Sequence, residues 1–423
     1  MQKYLIICIS IFCASLSFAQ TVNFKTPNLS NRQYFICAFQ GAQTDTLARG
    51  IVPPDGIFSF KMPAQYANYC GILRFEAGAD KWNCVMNSEN FTVINEGNNL
   101  KIEQSTENEI FIKKQTDFAS VCDKVEFIYK GLPLFPENSQ LVAAMNSEFV
   151  NQNKIYSAMY SELTRCQLYA CKYIEIQRFT NGYAQRLFLP AEKKQNYAAL
   201  LAFYSDSLKI DDLYTSDLYS PAQKVVLKLM NSTAQYGELM VKKMQQIRSD
   251  NVFRAFADDL ATQCQRNSWA DAEDMIAQYL VNSNRLDKFS FAYKYSAEVL
   301  KGKIGNSAHK IDGVKSLKNT ILFFYESDCP HCVEQIAEFK KYYAQLQSKG
   351  IQVISIASDT EPTIYKELAN TFEWENKFCD FQGFEGKIFN DYGVRSTPVI
   401  FYIDKNEKII GRYARLKETK LIE

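Results

Sequence analysis

Residues 320–327 read TILFFYES, and DCPHC follows at 328–332. An unbroken apolar run of this kind reads as a strand buried on both faces, because a strand with one wet face would alternate. Beyond it a helical stripe begins: Cys332, Ile336, Phe339, Tyr343 and Leu346 recur at steps of four, three, four and three. Two cysteines are therefore held between a buried strand and the start of a helix. A strand that is apolar all round needs sheet neighbours on both sides and a layer over each face. This part of the chain must then be α/β.

The rest of the C-terminal region agrees with that constraint. The helix that carries the stripe runs to Gly350, residues 351–357 form a second strand and residues 361–372 a second helix. VIFYID (399–404) and KIIGRY (408–413), joined at Lys405-Asn406-Glu407, read as a terminal hairpin.

The placement of the motif points to redox chemistry. Cys329 would sit where free N–H groups and the positive end of a helix dipole converge, which favours thiolate over thiol. Pro330 suits the first helical position because it needs no donor there, and His331 would add positive charge when protonated. The stripe makes Cys332 the buried sulfur and Cys329 the accessible one. Cys329 would then attack or be attacked, and Cys332 would resolve the mixed disulfide. Thr397-Pro398, directly before a strand, would place a cis proline against the pair and offer the Thr397 backbone to a substrate strand. A zinc site needs about four ligands; beyond the motif only Cys379 and His309 are at hand, so no metal and no cofactor are expected. A static 329–332 disulfide is the plainer alternative, and a helix start that activates a thiol argues against it.

The order strand, Cys-x-x-Cys, helix, strand, helix, Thr-Pro, hairpin resembles the thioredoxin superfamily. The closer likeness is to exported TlpA-like thiol–disulfide oxidoreductases; Gly305-Asn306-Ser307-Ala308-His309 resembles their Gly-x-x-Ala-Pro lead-in, with His309 in place of the proline. The Pro-His dipeptide between the cysteines is also that of oxidising Dsb-type enzymes. The resemblance covers residues 303–423 and implies thiol–disulfide exchange with protein thiols and disulfides, helped by a periplasmic or membrane redox partner. Three departures stand out. Asp328 replaces an aromatic residue, Phe323 occupies the place of thioredoxin's buried acid, and Gln335 occupies that of the TlpA-like glutamate, with Glu334 beside it.

Upstream, MQKYLIICISIFCASLSFAQ has a basic start, an apolar stretch and a Ser-Phe-Ala cleavage pattern, so residues 1–19 are expected to be a signal peptide with Gln20 opening the mature chain. Phe12 before Cys13 argues against a lipid anchor. The expected location is periplasmic or secreted, where disulfides persist.

Residues 20–105 alternate with period two and read as a β-sandwich-like domain, with Phe58, Phe60 and Met62 on one face and Tyr69, Leu73 and Phe75 on another. Cys70 and Cys84 lie symmetrically about Ala77, so a hairpin there would bring them close enough to bridge; buried free thiols are the alternative. Residues 106–302 read as an all-α middle domain. Ile155, Met159, Leu163, Cys166, Ala170 and Tyr173 follow one helix face, Ser220-Pro221 looks like a helix start, and Ser268 with Asp271 like another. On one continuous helix Cys166 and Cys171 would lie roughly 8.5 Å apart, beyond the roughly 7 Å limit for a bridge. The β-rich start and helical segment resemble the uncharacterised N-terminal regions attached to such thioredoxin domains in Bacteroidetes, a likeness that implies no activity.

The net charge of +1 and the lack of a basic block make nucleic acid and anionic membrane poor partners. The expected function is an exported thiol–disulfide oxidoreductase working through Cys329 and Cys332. The alternative is a non-catalytic binding or scaffold protein in which the thioredoxin-like module is structural.

Overall fold

A computed structural model describes residues 20–97, 99–181, 193–267 and 269–422. The expected signal peptide and Ser268 lie outside the described residues. The chain divides into two compact units, residues 1–226 and 227–423.

In the first unit β1 (Thr21–Lys25), β2 (Gln33–Gln40), β3 (Gln43–Ile51), β4 (Ile57–Lys61), β5 (Cys70–Ala77), β6 (Asp80–Asn87), β7 (Phe91–Asn95) and β8 (Leu100–Glu103) form two four-stranded sheets, β4-β1-β7-β8 and β3-β2-β5-β6. Their inner faces share one core, with Phe24, Phe60, Phe91 and Val93 from one sheet against Ile36, Leu73, Phe75 and Met86 from the other. This is the sandwich that the alternation predicts. The outer face of the second sheet is also apolar: Phe39, Ile72 and Val85 pack under α1 (Thr106–Gly131), α2 (Gln140–Arg165) and α3 (Tyr169–Thr180). Glu107 is buried and accepts from Tyr169 N at 3.1 Å and Ala170 N at 2.7 Å, so a carboxylate from α1 caps α3. The unit continues through α4 (Lys193–Ala202) and α5 (Ile210–Tyr214), and the division falls inside α6 (Tyr219–Leu229).

Cys70 and Cys84 take the free-thiol alternative, and the expectation that Cys166 and Cys171 lie too far apart to bond is corrected. Cys70 lies opposite Asn87 and Cys84 opposite Leu73, so the hairpin is out of the register a bridge requires. Cys84 faces the sandwich core while Cys70 packs under the helices on the other face, and both are free thiols. Cys166 and Cys171, in contrast, are bonded, with their Cα atoms 6.0 Å apart. The argument against them assumed one helix. Instead α2 ends at Arg165, Cys166 is extended (φ −74°, ψ 132°), and α3 starts afresh at Tyr169. The break removes the helical rise that would have kept the sulfurs apart. Helix α6 also starts earlier than expected, at Tyr219, yet Pro221 still falls among the first-turn positions that lack an intrahelical acceptor.

In the second unit α7 (Thr233–Gln246), α8 (Asp250–Asn267), α9 (Ala270–Asn282) and α10 (Phe291–Val299) lead into a five-stranded sheet. Its elements are β9 (Thr320–Tyr325), α11 (Pro330–Ser348), β10 (Gln352–Ala357), α12 (Pro362–Ala369), β11 (Asn376–Phe378), α13 (Lys387–Tyr392), β12 (Val399–Ile403) and β13 (Ile409–Tyr413). The order is β11-β10-β9-β12-β13, with β9, β10 and β11 parallel and β12 antiparallel to β9. Central β9 is buried at all its positions, as an unbroken apolar run requires. One face packs against α11 through Ile321, Phe323, Ile336 and Phe339, the other against α13 through Leu322, Phe324, Phe389 and Tyr392. The C-terminal part is thus a thioredoxin-like α/β fold after a β-rich start and a helical middle. The helices between 106 and 302 are shared between the units: α7–α10 belong with the C-terminal sheet.

Candidate active site

The site lies at the carboxyl end of β9, where ligands gather in open α/β sheets. Three loop residues, Glu326 to Asp328, carry the chain from the strand to Cys329, the N-cap of α11 (φ −75°, ψ 119°), and Pro330 opens the helix. Val333 N donates to the Cys329 carbonyl at 3.0 Å, and Cys329 N to Glu326 O at 3.3 Å, which closes the turn under the cysteine. Cys329 is half-buried; Cys332 has no exposed surface. Both are free thiols.

Burial pushes the Cys332 thiol up to about 12, and the neighbouring Cys329 thiol adds to the rise. The Glu326 backbone and then the Thr397 side chain pull the other way. The Thr397–Pro398 peptide is cis. The Thr397 side chain thus favours the Cys332 thiolate, an effect that reading it only as a backbone edge does not anticipate. His331 points outward, 77% exposed, with Nδ1 3.9 Å from the Glu334 carboxylate. Glu334 is 70% exposed and faces solvent with it. Gln335 is buried, and its Oε1 accepts from Leu416 N at 2.8 Å. Among the described residues no group of three or more His, Cys, Asp or Glu is arranged to hold a metal ion.

A second polar group stands behind the pair. Ser327 donates to Asp359 twice, N to Oδ1 at 2.9 Å and Oγ to Oδ2 at 2.6 Å, which ties the loop after β9 to the loop after β10. The Cys379 thiol donates to the Asp359 carbonyl at 3.3 Å. Burial, then Asp328 and Asp359, hold the Glu326 carboxyl above its usual range. Burial also raises the Cys379 thiol. Asp359 is absent from the sequence reading; its signal is a polar residue just past the carboxyl end of a parallel strand.

Residues 297–412 match the AhpC/TSA family. The thiol-disulfide oxidoreductase ResA of Bacillus thuringiensis subsp. konkukian is 26% identical over 93 residues, 22% of this chain and 53% of that protein. The ResA of Bacillus anthracis matches to the same extent. The chain spans about half the length of these relatives. Among solved structures, a thioredoxin-like protein from Bacteroides caccae is 18% identical with a TM-score of 0.42, covering 56% of this chain and 94% of its own. A thiol-disulfide oxidoreductase from Bacteroides fragilis is 21% identical with a TM-score of 0.23, covering 26% of this chain and 84% of its own.

Proposed function

We propose, from a C-terminal region that is a thioredoxin-like domain, that this chain is an exported thiol–disulfide oxidoreductase acting on protein clients through Cys329 and Cys332. The observation that carries the reading is the asymmetry of the pair: one sulfur is reachable at a helix N-cap, and the other is enclosed one turn further in. Cys329 thiolate attacks a client disulfide. A bond forms between Cys329 Sγ and one client sulfur, the client bond breaks, and the departing sulfur takes a proton from water. Cys332 then gives up its proton and attacks Cys329 Sγ. The Cys329–Cys332 bond forms, the mixed disulfide breaks, and the second client thiol leaves. Two electrons pass from the cysteine pair to the client, and the reverse sequence oxidises a client dithiol.

Thr397 serves twice in this reading. Its backbone precedes β12 and offers an edge to an extended client segment, while its side chain favours the Cys332 thiolate. Pro330 opens α11, and Pro398 directly precedes β12. Export rests on the leader-like first residues and on the bonded Cys166 and Cys171, since disulfides persist outside the cytosol. Reduction of insulin by the full chain, with a thiol reductant to recycle it, tests the assignment. Wild type should accelerate precipitation of the insulin chains, and Cys329→Ser should return to the uncatalysed rate. Equal rates near background for both proteins would favour the scaffold alternative.

A further inference from the structure

Asp359 lies just past β10 and is 7% exposed. Both of its carboxylate oxygens serve one residue, Ser327, which is also buried: Oδ1 accepts from its N–H at 2.9 Å and Oδ2 from its Oγ at 2.6 Å. Among the described residues no cation meets this carboxylate. Enclosing a carboxylate without a cation costs the folded state, so its use here asks for a reason beyond packing.

The reason lies in one peptide plane. Ser327 N–H and Glu326 C=O belong to the same planar trans unit and point in opposite directions. On one side Asp359 holds the N–H; on the other the C=O accepts from Cys329 N at 3.3 Å. A flat unit gripped at both ends cannot turn over without losing both bonds. The turn it closes seats Cys329 as the N-cap of α11, where free N–H groups and the positive end of the helix dipole lie. Asp359 is in turn fixed to the sheet. Ser358 N donates to Tyr325 O at 2.9 Å, one step beyond the last paired residues of β9 and β10, and the Cys379 thiol donates to the Asp359 carbonyl at 3.3 Å. The neighbouring loop residues Glu326 and Asp328 make no side-chain hydrogen bond among the described residues, so Asp359 is the tether of this loop.

We propose that Asp359 is a positioning residue for the redox step: through Ser327 it holds the peptide that seats Cys329 at the start of α11, and so sustains the reactivity of that thiolate. The inference rests on the thiol–disulfide reading above. Two effects of the carboxylate run in opposite directions. As a negative charge it disfavours a thiolate nearby. As an acceptor it keeps Cys329 against the helix end, which favours one. The sign of a mutational effect therefore separates them.

The test is alkylation of Cys329 by iodoacetamide in the full chain, in a Cys332→Ser parent so that the peptide carrying Cys329 has one thiol. A bond forms between Cys329 Sγ and the reagent carbon, iodide leaves, and mass spectrometry of that peptide sets the other thiols aside. Asp359→Ala removes both the acceptor and the charge. Asp359→Asn removes the charge and keeps both contacts, with its amide donating to Ser327 Oγ. At pH 7 Asp359→Ala should react about fivefold more slowly than the parent, the scale of one lost helix-terminus interaction. The deficit should shrink to within about twofold near pH 10, above the ordinary thiol value of about 8.5. Asp359→Asn should be no slower than the parent. Ser327→Ala keeps the N–H bond and loses the hydroxyl; it should be about twofold slower and stands in if Asp359→Ala does not fold. Glu326, Asp328, His331, Glu334, Tyr365 and Cys379 are the same in every variant. Rates equal to the parent's in Asp359→Ala and Ser327→Ala overturn the proposal. So do faster rates in Asp359→Ala and Asp359→Asn alike, which charge alone would give, and an Asp359→Asn as slow as Asp359→Ala. An equal deficit at both pH values also overturns it, because access and not the thiolate would have changed. Insulin left unreduced by wild type would sink the thiol–disulfide reading; unmoved alkylation in a chain that reduces insulin sinks this inference alone.

Discussion

Cys332 is a thiol with no exposed surface whose proton is held up to about 12, while Cys329 stands at the rim. The second half-reaction should therefore limit turnover. Between about pH 6 and about pH 9 the closure rate should climb close to tenfold per unit without a plateau; stopped-flow closure that levels off near neutrality would contradict this. Cys332→Ser should accumulate mixed disulfides with client proteins on non-reducing gels, and Cys329→Ser should accumulate none. The same burial has a stability consequence. A thiol whose folded value lies above its ordinary 9.0 contributes in full below that value. The contribution is lost as pH rises toward about 12, and Cys84, raised to about 12 by burial, adds a second share. Urea midpoints should fall from about pH 9 to about pH 11, and Cys84→Ala should flatten the fall. The two redox cysteines were legible because their chemistry sits in four consecutive letters between recognisable elements. Asp359 was not, because it meets Ser327 from 32 residues away, through strand order that no local pattern encodes.

At the level of elements, periodicity misled where two helices serve one core. Leu163 of α2 and Ala170 and Tyr173 of α3 enter the same apolar cluster. Their spacing therefore continues across a break that the sequence marks only by Cys166-Gln167-Leu168. The disulfide spans that break, and Glu107 caps the helix that follows it. Closing so short a loop limits the entropy removed from the unfolded chain, so replacing both Cys166 and Cys171 with serine should lower the unfolding free energy by about 2 kcal/mol. Urea denaturation measures it, and an unchanged midpoint would assign the bond no stabilising role. Strand β11 and helix α13 escaped the sequence reading for a different reason. They have three and six residues, too short for either period to register. The apolar β9 was legible because burial on both faces leaves no choice of residue type, and the stripe of α11 because it repeats over fifteen residues.

On the scale of the whole molecule, an amphipathic stripe tells which face of a helix is buried but not what buries it. Helices α7–α10 read like those before them, yet they fold with the C-terminal sheet. Arg412 of β13 shows the bond between them: it pairs with Glu273 at 2.6 Å and Asp274 at 3.0 Å, all three about one-tenth exposed. Arg412→Ala leaves two carboxylates enclosed without their cation and should cost about 3–5 kcal/mol, read as a lower urea midpoint for the full chain; a change within 1 kcal/mol or so would show the acids reaching water instead. Closer to the redox pair, Gly393 (φ +65°) leaves no room for a β-carbon, which would stand 1.9 Å from the Glu298 carbonyl oxygen of α10. Two residues on, Arg395 Nη2 reaches the Glu298 carboxylate at 3.0 Å. The turn that delivers Thr397 and Pro398 is thus moulded on the last turn of α10. A chimaera that transplants the redox module into another host must carry its splice point back ahead of α7, because a graft taken at residue 303 would leave its mould behind.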